Sequence, residues 1–145
     1  AKISIELRPE VASMTICPAI IHNVLETANV SEVEILDSFD LFTLSTIKTL
    51  KINRDKQHIL SYLDEYYTGI AESHISVSLI KIADKIDNIF TLCLNPDENK
   101  RANYLKQIEN FVIPMAELKV PHVLDYLIEL VDNAHKIGHI SLGDL

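Results

Sequence analysis

The chain has no tryptophan, three glycines, five prolines and two cysteines in 145 residues, and each shortage excludes something. Gly and Pro punctuate turns, and a sheet-rich domain spends many of them on its hairpins. Their rarity, with long stretches free of either, points to helices joined by short connections. There is no Gly-rich loop, no paired-Cys spacing and no Gly-x-Ser-x-Gly run, which sets aside phosphate-loop, zinc-ribbon and nucleophile-elbow chemistry. Cys17 and Cys93 stand in apolar stretches, which reads as two buried free thiols in a reducing compartment rather than a disulfide framework. No apolar run approaches the ~20 residues of a membrane span. Lys2, Glu6 and Arg8 interrupt any secretory leader at the start. A cytoplasmic location is expected.

Positive charge is also short. Thirteen Lys and Arg against 21 Asp and Glu leave a net charge of −8, which argues against a nucleic-acid polymer or an anionic membrane as partner. A small phosphorylated ligand held by a local basic cluster remains compatible with it. The length predicts one domain over residues 1–145, with a core large enough to need no staples.

What the chain does contain is helical periodicity. Residues 2–7 read as a helix end redirected by Pro9. Val11, Met14, Ile16, Ala19, Ile20, Val24 and Leu25 recur at helical spacing, with Pro18 expected in the first turn. That helix would carry His22, Asn23 and Glu26 at its middle, with His22 and Glu26 four apart on one face. Ser31 and Glu34 form a capping box, opening a helix expected to split near Asp40. Residues 48–55 form a polar connection. A helix over about 54–72, weakened at Gly69, leads to Ser73, the expected N-cap of the next helix. Asn95 and Pro96 open another helix, which Pro114 kinks or ends, and Pro121 starts the last one, which stops before Gly138. Residues 140–145 read as a loose tail. The fold class is all-α, with roughly six helices.

The most informative stretch is 76–94, SVSLIKIADKIDNIFTLCL. It is apolar almost all round, the pattern of a helix buried on most sides. Asp84, Asn88 and Thr91 interrupt it at spacings of four and three, which stacks them on one face. A carboxylate and an amide inside a core helix are costly unless satisfied by the protein or turned into a site. His22 and Asn23 break another apolar helix in the same way, and two such helices suggest a shared polar pocket. The other histidines are isolated. His135 and His139 lie four apart, but Gly138 comes between them and two ligands do not define a metal site.

The segment His22-Asn23-Val24-Leu25-Glu26-Thr27 resembles the HDxxED motif of the HD-domain phosphohydrolases of the RelA/SpoT group. Residues 79–89, LIKIADKIDNI, are similar to that family's KLADRLHN helix, and Thr91 stands where the family has a nucleotide-contacting Thr. The likeness runs over 18–117, about two-thirds of the chain, and includes Lys100 and Arg101. It implies an HD-domain-like helical bundle and a divalent metal, usually manganese, that activates water for removing the 3′-diphosphate of (p)ppGpp. By matching positions, His22 and Asp84 would be metal ligands and Glu26 the acid or base for the water. Asn88, Thr91 and Arg101 would contact the nucleotide, a guanosine polyphosphate or a relative of it.

The chain departs from the motif at defined points. Its Asp is the neutral Asn23, its second acid is Thr27, and no His precedes His22 to supply the family's first ligand. Fewer ligands and less negative charge weaken metal affinity. The expectation is a RelA/SpoT-type protein with weakened or lost hydrolase activity, holding Mn2+ only where the site is functional. The alternatives are a non-catalytic nucleotide-binding or regulatory module, or an interaction domain whose polar pocket is an internal network.

Overall fold

Ten α-helical segments, joined by short turns, account for most of the computed structural model, which describes residues 2–141 and, for Ile5, the backbone alone. No strand occurs among the described residues, so the all-α expectation holds. The segments are α1 (Lys2–Leu7), α2 (Ala12–Ile21), α3 (Val24–Thr27), α4 (Glu32–Ser38), α5 (Leu41–Leu50), α6 (Leu60–Glu72), α7 (Ile75–Leu92), α8 (Glu98–Gln107), α9 (Ile113–Lys119) and α10 (Leu124–Ile137). They outnumber the six expected because several long periodic stretches are broken. Two compact units result, one ending at Lys81 and the other beginning at Ile82, so the boundary falls within α7.

In the first unit α5 is the central element, packing against α2, α3, α4 and α6. Thr43, Leu44, Thr46, Ile47 and Leu50 are all buried on it. Ile35, Leu44 and Ile47 form a cluster against which Ile21, Val24, Leu25 and Val30 pack. The capping box is present: Glu34 N donates to Ser31 Oγ at 3.3 Å, and Ser31 N donates to Glu34 Oε2 at 2.8 Å. The expected split near Asp40 occurs because Asp40 caps α5, its Oδ1 accepting from Thr43 N at 2.7 Å.

Several sequence expectations are corrected in this unit, where α5 runs on to Leu50 and α6 starts at Leu60 and not near residue 54. Pro18 lies inside α2 and not in a first turn. A proline there removes one helical hydrogen bond, and the complete burial of Pro18, beside Ala19 at 5% exposure, offsets that loss. The helix does not continue through Asn23 and Glu26. It ends at His22, and Asn23, at φ −93° and ψ 0°, starts α3. His22 and Glu26 therefore do not share one helical face. Ser73 does not cap α7, since its hydroxyl donates back to Gly69 O at 2.7 Å; His74 Nδ1 instead accepts from Ser76 N at 3.3 Å.

In the second unit α8 and α9 flank a π-helical turn over Ile108–Val112, and α10 packs on both helices. The widened turn lies just before Pro114: Ile113 N reaches back five residues to Ile108 O, and the proline ring avoids the carbonyl four residues before it. Pro114 thus falls in the first turn of α9, where a proline is tolerated. Asp97, not Asn95, caps α8, accepting from Lys100 N at 3.1 Å. Pro121 does open the last helical stretch through a 3-10 turn, and α10 stops at Gly138, where φ is 65°. Of the tail, residues 142–145 lie outside the described residues, while Ile140 N donates to Cys93 O at 2.9 Å.

Both cysteines are free, but neither is buried as expected: Cys17 is exposed and Cys93 partly buried. The inner face of α2 is taken by Thr15, Pro18 and Ala19, which turns Cys17 outward.

Candidate functional site

His22 and Asn23 sit at the joint between α2 and α3, with His22 half-buried and Asn23 exposed. His22 Nδ1 lies 2.9 Å from Ala19 O, a contact that needs an N–H donor on Nδ1 and leaves the neutral ring's lone pair on Nε2. Thr27 spends its hydroxyl on Asn23 O at 2.9 Å, within α3.

Glu26 turns toward the connection after α5. Its Oε1 accepts from Ile52 N at 3.3 Å, and its Oε2 accepts from Arg54 Nε at 3.2 Å and Nη2 at 3.1 Å. The Glu26 side chain is only 8% exposed while that of Arg54 is 69% exposed. The cation thus lies over a carboxylate already sealed by backbone. Leu25, Glu26, Lys51, Ile52, Asn53, Arg54 and Tyr62 enclose an open pocket of about 430 Å³ here. Its floor is pinned from α6: Asn53 N donates to Tyr62 Oη at 2.7 Å, and Tyr66 Oη donates to Leu50 O at 2.6 Å.

In the second unit, the polar strip of α7 is engaged along its own helix. Asn88 Nδ2 donates to Asp84 Oδ1 at 3.2 Å, and Thr91 Oγ1 donates to Asn88 O at 3.3 Å. Asp84 is half-buried, whereas Asn88 and Thr91 are exposed. The reason is that the all-round burial of α7 stops early: Val77 through Ala83 are at most 7% exposed, while Phe90 is 55% exposed. Arg101 is drawn to the preceding loop, its Nη1 donating to Asn95 O at 2.6 Å.

The sequence reading passed over two lysines on the same helix. Lys81 and Lys85 are 7% and 8% exposed. Lys81 Nζ lies 5.4 Å from the centre of the Tyr66 ring. Lys85 Nζ lies 4.3 Å from that of Tyr104 and donates to Gln107 Oε1 at 3.1 Å. Cation–π contacts of this kind make burial of an ammonium tolerable. The spacing of two lysines inside an apolar run was the available signal. Tyr104 also flanks the strip. Its hydroxyl is sealed from solvent beside Asn88, short of a well-aligned hydrogen bond. Burial first, and then the negative charges of Asp84 and Asp87, push its pKa well above the ordinary phenolic value.

The donors around His22 do not fit a tightly held dication: one imidazole nitrogen, a neutral amide at Asn23, and a carboxylate whose oxygens already receive N–H groups. Among the described residues no three His, Cys, Asp or Glu side chains gather as a metal-binding group. No helix among them is long and apolar enough to cross a membrane. The chain matches no protein-family model, and no curated protein is similar enough to it to count as a relative.

Proposed function

We propose that residues 1–145 form one HD-like helical domain of RelA/SpoT type, related to manganese-dependent (p)ppGpp 3′-pyrophosphohydrolases, with its hydrolase activity weakened or lost. The order and spacing of His22, Asn23 and Glu26, then Asp84, Asn88 and Thr91, support the relationship. The loss of activity rests on Glu26. A general base must be able to take a proton from a water at hydrogen-bond distance, and this carboxylate is committed to Ile52 N and Arg54. Replacement of a charged ligand by Asn23 works in the same direction.

A second reading, a non-catalytic nucleotide-binding or regulatory module, is favoured by the exposure of Asn88 and Thr91. Both readings take a guanosine polyphosphate as ligand, with Asn88, Thr91 and Arg101 as its contacts. The test is to incubate the chain with ppGpp, with and without manganese, following diphosphate release and binding heat. Binding without turnover, or turnover far below the roughly 1–1000 s⁻¹ usual for enzymes, is expected. Fast manganese-dependent release overturns the loss of activity. Neither binding nor release would leave the polar strip as an internal network and remove both readings.

A further inference from the structure

We infer that the pocket between α3 and the connection after α5 binds a phosphate monoester carrying an aromatic ring, through Lys51, Arg54 and Tyr62. This does not depend on the ancestry proposed above.

The argument begins with donors and acceptors. Glu26 is the one carboxylate lining the pocket, and its two oxygens already take N–H groups from Ile52 and Arg54. Asn53 Oδ1 is likewise occupied, by Asp55 N at 3.0 Å, leaving its Nδ2 hydrogens. Tyr62 Oη accepts from Asn53 N, which keeps the hydroxyl proton to give. Lys51 is exposed, and while its backbone N–H caps α5, its ammonium makes no ion pair or hydrogen bond among the described residues. Each side-chain acceptor on the pocket wall is thus already engaged while donors remain, and an acceptor-rich anion complements such a set.

Charge agrees with this. Lys48, Lys51, Arg54 and Lys56 are four of the chain's 13 Lys and Arg, gathered into nine residues. Lys48 is neutralised by Glu32 at 2.8 Å, but it does not line the pocket. Lys51, Arg54 and Glu26 leave the pocket one positive charge in a chain of −8. Size then selects the body of the ligand. A volume of about 430 Å³ exceeds what a bare phosphate fills and lies within the range of small-molecule sites, about 300–1,000 Å³. Leu25, Ile52 and the Tyr62 ring supply apolar wall, and the Tyr62 ring is itself braced by stacking on Tyr66 at 6.3 Å. The tethers of Asn53 to Tyr62, Leu50 to Tyr66 and Ile52 to Glu26 hold the loop in place before any ligand arrives, which lowers the ordering cost of binding.

The experiment is calorimetric titration of the full chain with adenosine 5′-monophosphate, inorganic phosphate and adenosine. The monophosphate is expected to bind about tenfold more tightly than phosphate, with adenosine giving no measurable heat and added salt weakening the interaction. Lys51→Ala, at an exposed side chain without partners, should weaken binding about fivefold. Glu26→Gln should tighten it by about the same factor, because Arg54 is then no longer neutralised. If Glu26→Gln fails to fold, Lys51→Ala with the salt series decides alone. Absence of binding at millimolar monophosphate, equal binding of adenosine, or an unchanged Lys51→Ala overturns the proposal. So does loss of binding in Asn88→Ala with Lys51→Ala unaffected, the pattern expected of the guanosine-polyphosphate contacts instead.

Discussion

Tyr104 carries a hydroxyl that its surroundings do not reward. The group is sealed from solvent, lacks a good hydrogen bond, and is kept protonated by burial and by the carboxylates of Asp84 and Asp87. An unsatisfied buried hydroxyl costs free energy, and deleting it should cost nothing. Tyr104→Phe is therefore expected to leave stability unchanged or raise it by up to about 1 kcal/mol in urea unfolding; a loss of more than that would mean the hydroxyl has a bonding role. The ring itself stays essential, since it covers Lys85 at 4.3 Å. At this scale the sequence was readable where polar residues interrupt an apolar helix, as Asp84 and Asn88 do. For Lys81 and Lys85 it showed only their place in an apolar run, not their partners, since their burial depends on tyrosines brought from other helices.

At the scale of elements, the capping box of α4 was legible, while the break after α2 and the caps of α7 and α8 were not. Ser31 and Glu34 announce α4 because both partners lie within one turn of chain. The joint at His22 and Asn23 has no such local signal, because Pro18 invites the wrong start and the apolar spacing runs straight through the break. Gly69 is legible and remediable. A Cβ built there meets nothing within 4 Å, and glycine within a helix costs about 0.5–1 kcal/mol relative to alanine. Gly69→Ala should raise the unfolding free energy by that amount, seen as a higher denaturation midpoint at constant slope; a lower midpoint would contradict the open surroundings.

For the molecule as a whole, acid should be the weakness. Glu34, Asp40 and Asp97 all accept backbone N–H bonds at helix starts, which hold their pKa values below the ordinary 4.5, 3.8 and 3.8. Each is depressed in the folded state, so its contribution is complete above about pH 5. That contribution is lost as pH falls through 4 and below, where the unfolded chain binds protons first. The melting temperature should decline as pH falls below about 5. Asn caps a helix without titrating, so Asp40→Asn with Asp97→Asn should shallow the decline. An identical acid profile in that double variant would remove the caps as its cause.

The amino-acid sequence by itself determined that this chain is helical, where its capping box and its last helix lie, and which polar residues stand out on α7. Periodicity, capping and proline placement act within about four residues of chain, so they can be read in order. Only the tertiary structure decided what those polar residues face. Glu26 finds Ile52 and Arg54 across 26 and 28 residues of chain, and the two lysines of α7 find tyrosines on α6 and α8. Such partners are chosen by packing and charge balance between distant elements, and no local rule encodes that choice.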